Sequence, residues 1–86
     1  MKILLISHNV FGHRALEALI NHKFSVCGVV FRKKPETKVI SDYADFSSIC
    51  NDNSIDSISV KNVNDPDSVS FIAKCKPDAI LVFGWS

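Results

Sequence analysis

The chain has 86 residues, of which 47% are hydrophobic and 22% are charged, and its formal net charge at pH 7 is +1. This composition is typical of one small globular domain, and it excludes disordered and fibrous proteins. The near-neutral charge gives no reason to expect nucleic acid or an acidic membrane as a partner. The apolar run after Met1 is too short for a signal peptide or a membrane span, so we expect a cytoplasmic protein.

The three cysteines are far apart in the sequence and form no CxxC motif. No histidine stands near them at a spacing that would suit a metal site, so no metal is expected. Free cysteines are often small apolar residues of the core in a reducing compartment, and we expect that role here.

Unbroken apolar runs at the two ends of the chain predict strands that are buried on both faces, as in the interior of a parallel sheet. They are β1 at residues 3–6 and β4 at residues 79–83. Apolar residues then recur at helical spacing over residues 11–22 and predict helix α1. The predicted buried stripe of α1 consists of Phe11, Ala15, Leu16, Ala18, Leu19 and Ile20.

The middle of the chain adds two strands and a short helix. Residues 24–31 are rich in β-branched and aromatic side chains and predict strand β2. Ser41 can cap helix α2, and the apolar positions of that helix are Tyr43, Phe46, Ile49 and Cys50. Serines alternate with apolar residues near the end of residues 55–60, which predicts β3 as a weaker strand at a sheet edge.

The clearest helix start in the sequence lies at Asp65, and it begins helix α3. Asp65 offers an N-cap oxygen, and Pro66 fits the first helical position. Pro77 prevents the helix from continuing. The predicted buried stripe of α3 consists of Val69, Ile72 and Ala73, with Phe71 and Cys75 at its flanks.

The alternation of strands and helices predicts an α/β fold with a Rossmann-like parallel sheet in the strand order 3-2-1-4. Residues 1–86 would then form one incomplete half of a larger domain. In this order β4 is an edge strand, although its sequence is that of an interior strand. Natural proteins avoid flat, apolar, unpaired edges. We therefore expect further strands after Ser86 or another chain, including a second copy, to cover β4.

The loop after β1 lies at the carboxyl edge of the predicted sheet, where open α/β sheets bind ligands. The dinucleotide-binding fingerprint needs three glycines, and this loop has only Gly12, so that fingerprint is excluded. The sequence contains no P-loop either. Asn9 and the backbone near Phe11 and Gly12 could hold a polar or phosphorylated substrate at the helix N-terminus. Alternatively, Asn9 only caps α1 and Phe11 packs into the core.

Two further features of this edge keep two interpretations each. The basic run at residues 32–34 is either a solvated charge run or a clamp for a phosphate or carboxylate. Trp85 follows Gly84 and either lines a pocket or covers the core. His8 has no visible base or nucleophile as a partner, so no catalytic residue is predicted.

Several segments together resemble the N-terminal half of the formyltransferase family. That family includes methionyl-tRNA formyltransferase, glycinamide ribonucleotide formyltransferase and the sugar N-formyltransferases. The segments that carry the resemblance are residues 11–12, 14–20, 29–30, 61–64 and 76–86. The ending Val-Phe-Gly-Trp-Ser, at residues 82–86, is most similar to the sugar-nucleotide enzymes.

The resemblance implies transfer of a formyl group from N10-formyltetrahydrofolate to an amine, and the expected acceptor is an amino sugar nucleotide. It implies two sets of binding residues, Phe83, Gly84, Trp85 and Ser86 at the rim of the folate site and Asn9, Phe11 and Gly12 facing the amine substrate. The family's catalytic Asn-x-His motif and distant Asp follow the segment that matches residues 84–86. The isolated chain is therefore expected to be inert.

Three other functions stay open. A non-catalytic nucleotide- or phosphate-binding module would use the helix N-termini and residues 32–34. A fragment of a methionyl-tRNA formyltransferase would share the folate chemistry but act on a different amine. A truncated domain would only associate with itself through the exposed edge of β4.

Overall fold

The computed structural model describes residues 1–7, 10–32, 46–61 and 64–83. The elements in chain order are β1 Lys2–Ser7, α1 Val10–Asn21, β2 Ser25–Arg32, α2 Ser47–Asp52, β3 Ser57–Val60, α3 Pro66–Cys75 and β4 Ala79–Phe83. All seven predicted elements are present, and β4 has its predicted bounds. The predicted start of α2 near Ser41 lies outside the described residues. No helix in the described ranges has the length and apolar character needed to cross a bilayer.

The described strands form one parallel sheet in the order β3-β2-β1-β4, which confirms the predicted α/β fold and strand order. β1 is central, because it pairs with β2 on one side and with β4 on the other. Its last residue, Ser7, lies opposite Phe31 of β2 and Phe83 of β4. Since all the strands are parallel, their carboxyl ends lie along one edge, as in Rossmann-like half-domains.

Helices α1 and α2 cover one side of this sheet. The buried residues of that side are Leu5, Leu16, Val29, Phe31, Phe46 and Cys50. Phe46 immediately precedes α2, and its ring centroid lies 5.6 Å from that of Phe31. The buried stripe of α1 begins at Gly12 and continues through Leu16, whereas Phe11 and Ala18 are exposed. The predicted stripe was therefore wrong at those two positions.

Helix α3 covers the other side, over β2 and β3. The buried residues there are Leu4, Ile6, Val30 and Val60, with Cys27, Ile58, Phe71, Ile72 and Cys75 packed against them. Ser68 is fully buried, whereas Val69 is 57% exposed and Ala73 is also exposed. The predicted stripe is therefore correct at Ile72 and at its flanks, and it is wrong at Val69 and Ala73. The small Ser68 occupies the buried position in the first turn instead.

The two ends of α3 follow the predicted signals in part. Asp65 is the N-cap and Pro66 is the first helical residue, as predicted. The Asp65 side chain, however, makes no capping hydrogen bond within the described residues. At the other end Lys76 takes the left-handed conformation with φ of 49°, and its amide donates to the carbonyl of Ile72 at 3.2 Å. This reversal ends the helix, and Pro77 and Asp78 then lead into β4.

Strand β4 is not buried on both faces, which corrects the prediction made from its sequence. Ile80 is 46% exposed and Val82 is 58% exposed. They pair with Leu4 and Ile6, which lie on the α3 side of the sheet, and α3 packs over β2 and β3 instead. On the opposite face Leu81 is half-buried and packs against the α1 side of the core. Within the described residues, therefore, only one face of β4 packs against the core.

Candidate ligand-binding site at the carboxyl edge

The ends of β1 and β4 and the start of α1 meet at one point on the carboxyl edge of the sheet. Ser7 lies opposite Phe83 in the register of the two strands. Its hydroxyl donates a hydrogen bond to the carbonyl oxygen of Phe83, with 2.7 Å between the two oxygens. Ser7 is fully buried, so water does not compete strongly for this bond. We call this point the Ser7–Phe83 junction.

Gly12 lets helix α1 begin directly against the junction. It is buried, and a Cβ atom at this position would overlap the side chain of Ser7. The same atom would lie 3.5 Å from the Cβ of Phe83, in ordinary contact. Any larger residue would push the first turn of α1 away from the strand ends. Gly12 was predicted as a substrate-binding residue, and in the structure it sets how closely the loop and the strand ends approach.

Phe11 lies in the first turn of α1 and is 67% exposed. The alternative in which Phe11 packs into the core is therefore wrong. Val10 and Phe83 are also exposed in part, which leaves three apolar side chains at solvent around the same strand ends. Apolar groups that remain exposed together at a ligand-binding edge are typical of a binding surface.

The electrostatics of this edge favour an anion over a cation. The first turn of α1 contains no acidic residue, so the positive end of its dipole is not neutralised by its own helix. Arg32 ends β2 at the same edge of the sheet and is half-buried. Lys33 and Lys34, the rest of the predicted clamp, lie outside the described residues.

Three of the seven predicted site residues are described, and the structure places all three, Phe11, Gly12 and Phe83, around the Ser7–Phe83 junction. The other four, Asn9, Gly84, Trp85 and Ser86, lie outside the described residues, and so does His8. Their roles stay predictions.

Ser7 is the residue of this site that sequence reasoning did not single out. Its hydroxyl joins two segments 76 positions apart, and no local pattern carries that information. The available signal was a polar residue that closes an unbroken apolar run and is followed five positions later by the loop's single glycine.

The chemical capacity of the described junction is limited to binding. The Ser7 hydroxyl already donates a hydrogen bond to the carbonyl oxygen of Phe83, and the neighbouring exposed side chains are apolar. These groups can bind and orient a ligand, but they supply no general acid or base.

Elsewhere in α1, His13 Nδ1 lies 2.9 Å from Glu17 Oε1, and the His13 ring packs near Phe46 with 5.4 Å between centroids. No group of acidic, histidine or cysteine side chains in the described ranges could hold a metal ion.

Comparison of the chain with known proteins finds no family model and no curated protein that matches it.

Proposed function

We propose that this chain forms the N-terminal part of the catalytic domain of a folate-dependent N-formyltransferase. The parent enzyme would transfer a formyl group from N10-formyltetrahydrofolate to the amine of an amino sugar nucleotide, in the cytoplasm. The observation that supports this most is the Ser7–Phe83 junction. There Ser7, at the end of β1, is hydrogen-bonded to Phe83 of the proposed folate segment, and Gly12 of the proposed acceptor segment lies directly against both residues. Group transfer requires donor and acceptor to be held side by side in this way.

Each side of the junction has chemistry that fits its proposed ligand. The partly exposed Phe83 would offer an apolar surface for the flat ring system of the folate, and Gly84, Trp85 and Ser86 would continue that rim. The first turn of α1 would receive the phosphates of the nucleotide, and Phe11 would pack against its sugar or base. When bound, the folate supplies the formyl group, and this chain binds and orients both reactants.

Acid–base chemistry in this proposal comes from residues after Ser86. By resemblance, those residues are an Asn-x-His motif and a later Asp, which would remove the proton of the amine and stabilise the developing oxyanion. The 86-residue chain alone is therefore expected to be inert and to bind formyltetrahydrofolate weakly, since half of the folate pocket lies outside it.

The test is to read the coding sequence past the Ser86 codon and to assay the protein that it encodes. We expect the frame to continue into an Asn-x-His motif, and we expect formyl transfer to an amino sugar nucleotide. A stop codon directly after Ser86, or formyl transfer catalysed by the 86-residue chain alone, would overturn the proposal. Transfer only to an amine carried on tRNA would instead assign the chain to a methionyl-tRNA formyltransferase.

A non-catalytic phosphate-binding module is the second candidate. It is favoured by the first turn of α1, which lacks acidic residues, and by Arg32 at the end of β2. In that case a nucleoside diphosphate should raise the melting temperature without any folate, because a ligand that prefers the native state stabilises it. Loss of that rise in the Arg32→Glu variant would support the module, and an unchanged rise would remove Arg32 from it.

A further inference from the structure

A cavity of about 510 Å³ lies at the amino end of the sheet, away from the Ser7–Phe83 junction. It is placed between the last turn of α3 and the first residues of β2 and β3. The residues that line it are Cys27, Asp56, Ser57, Phe71, Lys74 and Cys75. The cavity therefore contains two of the three cysteines of the chain, and the proposed formyltransferase site uses neither.

Cys27 of β2 and Cys75, the last residue of α3, meet at the wall of this cavity. The Sγ atom of Cys75 lies 3.5 Å from the carbonyl oxygen of Cys27. Both thiols are free and half-buried, so small reagents can reach them. Gly28 makes the approach possible, because a Cβ atom at that position would lie only 2.8 Å from the Cys75 sulfur. The packing of α3 on β2 thus places the two cysteines side by side.

The Cys75 thiol is not an activated nucleophile. Burial, together with the neighbouring Cys27 thiol, raises the pKa of Cys75 to about 11. Cys75 is consequently a protonated thiol near pH 7. Because the thiolate is the form that attacks oxidants, Cys75 is slow to react first. Its position beside Cys27, rather than its pKa, would let it close a disulfide once a sulfenic acid has formed there.

We propose that Cys27 and Cys75 form a dithiol site that a peroxide converts into an intramolecular disulfide. The Cys27 sulfur attacks one oxygen of hydrogen peroxide, the O–O bond breaks, and Cys27 becomes a sulfenic acid with release of one water. The Cys75 sulfur then attacks the sulfenic sulfur and forms the S–S bond. The departing hydroxide takes the Cys75 proton and leaves as a second water. Two thiols lose two electrons in total, and one peroxide is reduced to two waters.

The disulfide would link α3 to β2 across 48 positions in the sequence. A cross-link that closes a long loop restricts the unfolded chain and stabilises the fold. For a domain of this size, we expect the melting temperature to rise by about 10 °C. The rise should disappear when the disulfide is reduced.

The test treats the purified, folded chain with hydrogen peroxide, counts free thiols, and maps peptides without reduction. We expect the free thiols to fall from three to one. We also expect one linked pair of peptides, which contains Cys27 and Cys75 and is lighter by two hydrogen atoms than the separate peptides. The variant Cys75→Ser should lose the link and stop at a sulfenic acid on Cys27. A dimedone-type reagent that reacts with sulfenic acids would trap it.

Cys50→Ala is the matched control, because Cys50 is fully buried in the cluster on the opposite side of the sheet. This variant should form the same link at the same rate. Three free thiols after treatment, a link that includes Cys50, or links only between separate chains would overturn the proposal. A second measurement repeats the oxidation in denaturant, where all three possible pairs should form. The same mixture from the folded chain would also contradict the proposal.

Discussion

Gly12 carries the tightest packing constraint at the candidate site. Alanine is the better helix former by about 1 kcal/mol, so in an open helix its substitution for glycine would stabilise. Here the added Cβ would overlap the side chain of Ser7, which is itself fully buried and bonded to Phe83. The clash must displace either the first turn of α1 or the end of β1. The steric cost therefore exceeds the gain in helix propensity.

We expect Gly12→Ala to lower the free energy of unfolding by about 1–3 kcal/mol, the usual range for an overpacked site. Urea denaturation of the variant and of the original chain measures this change in unfolding free energy. Arg14→Ala, an exposed change in the same helix, should alter stability by less than about 0.5 kcal/mol. In the double variant Gly12→Ala with Ser7→Gly, both overlapping side-chain atoms of Ser7 are removed, so the loss caused by Gly12→Ala should shrink. If Gly12→Ala and Arg14→Ala change the free energy of unfolding equally, the close contact between Gly12 and Ser7 does not affect stability.

Phe11 should contribute to ligand binding and little to folding, because most of its side chain is exposed. If the proposed formyltransferase function holds, Phe11→Ala in the longer protein should raise KM for the acceptor about tenfold, which corresponds to about 1.4 kcal/mol of lost contact. The unfolding free energy should change by less than about 0.5 kcal/mol. The control is Phe24→Ala, since Phe24 is also exposed but precedes β2 at the amino end of the sheet. If both variants change KM equally, Phe11 does not belong to the site.

At the scale of elements, helix α3 shows what a sequence pattern can and cannot determine. Pro66 and Pro77 bracket the helix, and both of its ends were predicted from them. The side of the helix that faces the sheet was not fully predicted, because the apolar Val69 was expected to be buried and the polar Ser68 was not. A small residue can face a sheet where the helix approaches it closely, whatever its polarity. That preference depends on the distance between helix and sheet, which no single element encodes.

Ser68 should be a site where removal of a polar atom stabilises the protein. Its hydroxyl is fully buried and has no hydrogen-bond partner in the described structure. Because an unsatisfied buried hydroxyl costs free energy, we expect Ser68→Ala to raise the unfolding free energy by about 1 kcal/mol. Thermal unfolding measures the change. Ser70→Ala, an exposed change in the same helix, isolates the gain in helix propensity, and an equal gain in both variants would argue against the burial effect.

At the scale of the whole molecule, the strand order was predictable and the pairs of residues that meet were not. Two unbroken apolar runs and alternating helices are enough to predict a parallel sheet in the order 3-2-1-4. The Ser7–Phe83 junction and the Cys27–Cys75 contact join positions 76 and 48 residues apart. They depend on the register of β1 with β4 and on the tilt of α3. Only the assembled sheet defines those quantities.

Strand β4 forms an exposed apolar edge of the described sheet, and we propose that a second copy of the chain covers it. Ile80 and Val82 are exposed on an edge strand that has no charged residue within it. Edges of this kind tend to pair with another strand. Sedimentation velocity should show the chain associating as its concentration rises. Val82→Lys should abolish the association, because a lysine on the edge opposes strand pairing.

Val69→Lys is the matched control for Val82→Lys. Val69 is as exposed as Val82, but it lies on helix α3 rather than on the edge strand. This variant should associate as the original chain does. A chain that stays monomeric at every concentration, or an equal effect of both lysines, would show that β4 does not mediate association.

Two-dimensional NMR of the chain, titrated separately with formyltetrahydrofolate and with an amino sugar nucleotide, tests the proposed site most directly. The method detects the weak, millimolar binding expected of a partial pocket. We expect the folate to shift the amide signals of Ser7 and Phe83, and the sugar nucleotide to shift those of Phe11 and Gly12. Lys74, at the opposite end of the sheet, should not respond. Shifts confined to the cavity near Lys74, or none with either ligand at millimolar concentration, would contradict a formyl-transfer site at the Ser7–Phe83 junction.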